Sequence, residues 1–259
     1  MTEHPGFGAV LGRLLKHRGL GVQELADRAG LTAEEVRAVL AGEPADEGLL
    51  LRLAPALHLH AVDLFILAGR VIPDDLAPLD ATARPWVPYV VMNAAHLPAE
   101  RRREVLEIVR SLPQEERRSD VTPERLAAPA GGPGGRVVRM FRYRNLDWPG
   151  MAKTLAVVTP TYLSAPTYGV IGAGRKQLTP RLVTDFAALL AIDARELAVL
   201  TDIVLPGTPP PPAPEAVDSA ALLWEARRLS ATQVRHVAEL ARSMRGDSGT
   251  GYIVNLPGS

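Results

Sequence analysis

The chain has 259 residues, carries 29 Lys plus Arg against 29 Asp plus Glu, and contains no cysteine. That length holds one or two domains, and zero net charge excludes a uniformly basic, polyanion-coating protein while leaving room for a local basic face. Disulfide frameworks, cysteine zinc fingers and thiol nucleophiles are excluded with the missing cysteine. Aromatic residues make up only 5%, and the apolar content is mostly Ala, Leu and Val, which favours helices packed through small and straight-chain residues. The expected class is therefore all-α. The first ten residues include Glu3, His4 and Pro5 where a signal peptide would need a basic start and an apolar run, so none is expected. The most apolar stretch, residues 49–68, is interrupted by Arg52, Pro55, His58, His60 and Asp63. It predicts no membrane span, and a soluble, cytoplasmic protein is expected.

In chain order, Phe7, Val10, Leu11, Leu14 and Leu15 form a helical stripe over residues 7–18. Residues 22–29 read as a short second helix with Leu25, Ala26 and Ala29 inward and Gly30 placed to end it in a left-handed conformation. Leu31 plugs the core. Thr32 caps a third helix whose first turn holds Glu34 and Glu35 and whose inner face is Val36, Val39 and Leu40. Residues 47–57 and 61–68 give helices four and five. A hairpin of helices is expected over residues 71–126, centred on 88–112. Residues 127–135 (AAPAGGPGG) read as a Gly/Pro linker with neither helix nor core, and residues 206–214 (PGTPPPPAP) as a stiff proline-rich spacer. A second helical hairpin is expected over 215–246.

The two halves repeat one another. Residues 57–64 (LHLHAVDL) align with 190–197 (LAIDAREL), 97–112 with 229–244, and 13–20 with 139–146. The offset is 126 at residues 13–20, 133 at 57–64 and 132 at 97–112, so the second copy holds about six more residues, which the alignment places around 164–169. The chain reads as two copies of one unit, over residues 7–70 and 136–205, each a five-helix part followed by its hairpin.

Two short helices joined by an Ala-Gly-Leu turn within five helices is the helix-turn-helix pattern. The segments LADRAGLTAEEVRAVLAGE and LLLRLAPALHLHAVDLF resemble the XRE family, the Cro and lambda-repressor type of DNA-binding domain, across about residues 7–70. Residues 138–205 resemble it more weakly, through MAKTLAVVTPTYLS, GAGRK and LVTDFAALLAIDARELAVL. The resemblance implies two tandem lambda-repressor-like five-helix domains. It implies a third helix in the major groove reading bases, with Thr32, Ala33, Glu34 and Arg37 in the first copy and Thr159, Thr161, Tyr162 and Ser164 in the second. Double-stranded operator DNA is the implied partner, with no catalytic residue, cofactor or metal, and nucleoid association follows from it. Homodimerisation through the hairpins is the second partner expectation. A protein partner, for an XRE fold that has lost DNA, is the competing one.

The sequence departs from the family pattern at Gly21 and Val22, where helix two usually begins with Thr or Ser and Gln, and at Trp148 and Pro149 in the second copy. Pro166 predicts a short or broken helix there, with residues 165–169 an added loop. Residues 1–134 carry 15 basic and 19 acidic side chains (net −4), and residues 135–259 carry 14 and 10 (net +4). This asymmetry predicts that the second copy supplies phosphate contacts through Arg139, Arg142, Lys153, Arg175 and Lys176. The pair His58 and His60 reads as turn and cap rather than metal ligands. Residues 169–174 lack the strand and spacing of a phosphate loop. Ser164 and Ser230 lack the partners of a nucleophile. The arginines at 101–103 read as a mixed-charge helix face, and Trp86, Tyr89, Val90 and Val91 as a buried or dimer-forming face.

Overall fold

The computed structural model describes residues 5–117 and 132–247. Met1 to His4, residues 118–126 of the first hairpin segment and residues 127–131 of the expected linker lie outside the described residues. What is described is all-helical, with no strand. No single helix among the described residues is long and apolar enough to cross a membrane.

The first five helices are α1 (Phe7–Arg18), α2 (Val22–Ala29), α3 (Ala33–Leu40), α4 (Glu47–Ala56) and α5 (Ala61–Leu67). The apolar stripe puts Val10, Leu11, Leu14 and Leu15 inside, in the same buried cluster as Leu25, Val36, Leu50 and Leu53. Then come α6 (Val87–Ala95) and α7 (Ala99–Ser111), and a second series: α8 (Gly132–Arg142), α9 (Trp148–Val158), α10 (Ala165–Gly172), α11 (Pro180–Leu190) and α12 (Ala194–Thr201). Helices α13 (Pro214–Ala226) and α14 (Ala231–Asp247) end the described chain. One contiguous cluster of buried apolar side chains runs from Val10 to Met244.

The second series overturns two expectations. Residues 132–135 are the first turn of α8, not linker, and Gly132, Gly134 and Gly135 are buried. Proline is tolerated in a first turn because it removes no intrahelical bond there. The glycine matters for packing: a Cβ on Gly134 would stand 2.7 Å from the Ile171 carbonyl oxygen, so only glycine lets α8 approach α10. A Cβ on Gly8 would likewise collide with the Val39 carbonyl oxygen, between α1 and α3. Residues 165–169, expected as a loop, begin α10, with Pro166 in its first turn and Ser164 as its N-cap residue. The six extra residues of the second copy instead lengthen α9 from eight residues to 11 and the following turn from 30–32 to 159–164.

The two series pack reciprocally. Helix α1 lies against α12, and α8 lies against α5. Arg144 sends parallel hydrogen bonds to both carboxylate oxygens of Asp63, at 2.8 and 2.7 Å, and another to the Leu190 carbonyl at 3.0 Å. Arg18 does the same with Glu196, at 2.6 and 2.6 Å, and with the Leu57 carbonyl at 2.8 Å. Each residue of one set sits at the position of its counterpart in the other: Arg18 with Arg144, Leu57 with Leu190, Asp63 with Glu196. His58 and Ala191, also matched, share a left-handed backbone at φ 49° and 56°. The hairpins cross over in the same way, α6 against α14 and α7 against α13. Asn93 donates to the Ala238 carbonyl at 2.9 Å, and Arg102 to Asp218 at 2.5 Å. The face read as buried or dimer-forming is thus largely used within the chain: Val90 and Val91 are buried, with Trp86 and Tyr89 left at 37% and 40% exposure.

His60 does not use its side chain as a cap. Its ring stacks on Trp224 at 3.4 Å and 8°, beside Asp63, Arg144 and Arg227. Burial pushes the imidazole down to about 4 from 6.5, Asp63 opposing and the two arginines adding to the fall. The folded protein therefore binds fewer protons than the unfolded chain between those values. Stability should fall as pH drops from 6.5 towards 4, by up to about 3 kcal/mol, and His60→Gln should flatten that part of the curve in chemical denaturation. Arg144 and Asp63 are 1% and 0% exposed, whereas Arg18 and Glu196 are 18% and 17% exposed. Asp63→Ala, which strands a buried guanidinium, should cost about 3–5 kcal/mol. Glu196→Gln, partly reached by water, should cost no more than about 2 kcal/mol on the same denaturation curves.

Candidate nucleic-acid interface

Helices α2 and α3 meet through a turn of three residues. Gly30 takes φ +63° to end α2, and Leu31 turns back into the core. Thr32 then starts α3 with a reciprocal capping box. The Thr32 N–H donates to Glu35 Oε2 at 2.7 Å, and the Glu35 N–H donates to Thr32 Oγ1 at 3.2 Å. Those bonds, with Arg52 nearby, hold the Glu35 carboxyl below the usual carboxylate range. Val36 and Val39 face inward, so the outer surface of α3 is left to Ala33, Glu34, Arg37 and Ala38. Arg37 is exposed and, among the described residues, has no hydrogen-bond or ion-pair partner. Thr32 is committed to the cap, so its hydroxyl reaches the helix end and not outward.

The charge around this face is mostly negative. Glu24 pairs with Arg28 one turn on, and Arg52 reaches Glu35 at 3.4 Å and the Gly30 carbonyl at 3.1 Å. Glu43, Asp46 and Glu47, in the connection to α4, are exposed. The α2 N-cap residue is Gly21, with no side chain to offer.

The second copy differs at its third helix. Thr159 is the C-cap residue of α9 and gives its hydroxyl to the Leu155 carbonyl at 2.7 Å. Thr161 is buried, and its hydroxyl donates to Asp185 on α11. Tyr162 is 89% exposed in the turn. Of the expected readers only Ser164 touches the third helix, as its N-cap. Helix α10 itself carries no charged side chain. Thr159, Thr161 and Tyr162 fall outside the third helix because the longer turn is anchored to α11 by Asp185 and by Arg181, which donates to the Pro160 carbonyl at 2.6 Å. Ser164 followed by Pro166 was the available signal for the true start, since proline is favoured in a first turn.

The cations divide. Arg139 is buried, 7% exposed, with its guanidinium 5.9 Å from the centre of the Tyr143 ring. Arg142 is half-buried, and that burial lowers its pKa. Lys153 lies 4.7 Å over the Tyr89 ring and donates to its hydroxyl at 3.2 Å, a contact with the first hairpin. Arg175 and Lys176, in the turn after α10, are exposed and have no partner among the described residues. Trp148 lies across Gly169, where a Cβ would meet the indole at 2.8 Å, a contact that no local sequence pattern signals. No group of His, Asp or Glu among the described residues is arranged to hold a metal ion.

Removing the α3 cap should show how much the local geometry depends on it. Thr32→Ala should cost about 1 kcal/mol by urea denaturation and speed hydrogen exchange in the first turn of α3. No protein-family model, curated protein or solved structure matches the chain.

Proposed function

We propose that this chain is a sequence-specific DNA-binding regulator without catalytic chemistry, which presents α3 to the major groove. One observation carries the reading. Arg37 projects, exposed and unpartnered, from a helix fixed by a capping box three residues beyond α2. A guanidinium in that setting can donate two parallel hydrogen bonds to a guanine edge. The acidic neighbours Glu24 and Glu35 are already engaged by Arg28 and Arg52, which leaves Glu34 as a candidate acceptor for cytosine. Arg175 and Lys176 supply phosphate contacts from the second copy. The resemblance to XRE domains supports the same reading. It also supports a place among cytoplasmic, nucleoid-associated proteins.

A second reading has its own observation. Glu43, Asp46 and Glu47 stand exposed between the end of α3 and the first residue of α4. Such a rim favours a basic protein surface over DNA, and the chain would then be an adaptor.

Recovery of genomic fragments by the full chain at low salt separates the two. Under the DNA reading, discrete fragments are enriched, and Arg37→Ala weakens them by roughly 5- to 150-fold. Replacing Arg175 and Lys176 with alanine should lower affinity evenly across sequences and reduce the salt slope by about 2. Equal recovery by wild type and Arg37→Ala removes Arg37 as the reader. Recovery of no fragment at all leaves the adaptor.

A further inference from the structure

A cavity of about 770 Å³ is lined by the end of α9, α11, the start of α12, the proline-rich segment and α13. Its helical walls are small: Ala187, Ala188, Ala191, Ala216 and Ala220 present nothing beyond Cβ. The first copy treats the matching connection differently. Between α5 and α6 it buries Ile72, Ala77 and Leu79. An offset of 132 sets these three against Val204, Pro209 and Pro211, and an offset of 133 against Leu205, Pro210 and Pro212. None of those six is buried, and Val204 is 86% exposed. Consecutive prolines hold the chain extended, and their rings reach less far than Ile or Leu. The polar side chains of the walls are already engaged. Thr159 and Thr184 donate to the Leu155 and Pro180 carbonyls at 2.7 and 3.1 Å. Asp185 accepts from the Thr161 hydroxyl and has Arg181 at 4.0 Å. Asp193 accepts from the Arg195 and Glu196 N–H groups at 2.8 and 3.2 Å. Arg195 donates to Thr208 at 3.1 Å, which ties α12 to the proline-rich segment.

We propose that this cavity binds an uncharged, hydrocarbon-rich small molecule, in place of the aliphatic side chains that the first copy's connection buries. The volume suits a small molecule, and alanine and proline make the lining mostly apolar. Charge argues against an ion. An anion meets two carboxylates, Asp185 and Asp193, against the one guanidinium of Arg195. A cation would share carboxylates already committed to Thr161, Arg181 and the N-terminus of α12. An apolar body asks for no hydrogen bond, so its burial leaves every one of these partners in place. Val217, exposed on α13, adds an apolar contact to the lining. The site stands independently of the DNA reading, because it contains no residue of α3 and neither Arg175 nor Lys176. A molecule bound there touches α11 of the second copy and α13 of its hairpin together, two helices that already pack on one another.

Fluorescence titration of the full chain with N-phenyl-1-naphthylamine tests this, with anilinonaphthalenesulfonate as the same ring body carrying a negative charge. Saturable binding of the neutral probe at about 100 μM or tighter is expected, with the sulfonate weaker by roughly tenfold or more. Ala188→Leu, at a half-buried wall position, fills part of the cavity, and Val217→Asp sets a charge beside it from an exposed position. Each should weaken the neutral probe by at least roughly fivefold. Thermal denaturation without probe checks that both variants fold, and Val217→Asp carries the test if Ala188→Leu does not. Trp148→Ala, at the exposed indole beside α10, should leave the affinity unchanged, as should Arg37→Ala. Absence of saturation overturns the proposal. Equal or tighter binding of the sulfonate does so too, because the site would then not select against charge. Indifference to Val217→Asp and Ala188→Leu rejects the cavity as the place of binding, and loss of binding in Trp148→Ala would put the probe on the surface beside α10 instead.

Discussion

Two arginine–carboxylate bridges hold the halves of this chain together, and much of the remaining arrangement depends on them. In each, an arginine at or just past the end of a first helix spans a carbonyl at the C-terminal end of its own fourth helix and the acid on the other half's fifth helix. The parallel two-oxygen geometry fixes orientation as well as distance. The Arg144–Asp63 bridge is fully buried, so its formation and the exclusion of water are one event, and its desolvation is offset only if every donor finds an acceptor. The stacked His60 and Trp224 close the space beside it. An interface in which each half offers the same groups to the other has the self-complementary character of a twofold dimer, here within one chain.

That shared frame makes the differences between the outer surfaces informative. The first copy keeps a three-residue turn, a capping box and an exposed arginine, surrounded by carboxylates. The second replaces the turn with six residues tied to α11 and strips its third helix of charge. It then admits Trp148 over Gly169 to make a groove. Neither outer surface carries the core, so both can change without disturbing the bridges. The two copies therefore offer different chemistry to partners.

The hairpins bind the halves a second time. Helix α6 lies on α14 and α7 on α13, so each hairpin is completed by the other and not by its own fold-back. Arg102 illustrates the consequence. It is 5% exposed and donates both to the Leu97 carbonyl on its own side and to Asp218 across the bundle. The run of three arginines at 101–103 thus contains one structural cation and two exposed ones, Arg101 and Arg103, which have acidic neighbours one turn away.

The sequence by itself determined the helices of the first copy almost to the residue, because each signal there is local. A periodic stripe, a capping threonine and a glycine at φ +63° act within one or two turns of chain. The sequence did not determine the second copy's third helix: Thr161 is drawn inward by Asp185, a partner 24 residues away that no local pattern reveals. Nor could it sort the arginines of α8 and of the turn that follows it. Arg139, Arg142 and Arg144 are alike as letters, but packing against the other half makes Arg144 a buried tie, while Arg175 and Lys176 stay outside. Charge counts are additive along a chain, whereas burial and pairing are properties of neighbours in space. The net +4 of the second half is therefore less available to an anion than its sum suggests. Spatial packing sets where charge can be reached: at Arg37 and at the 175–176 turn.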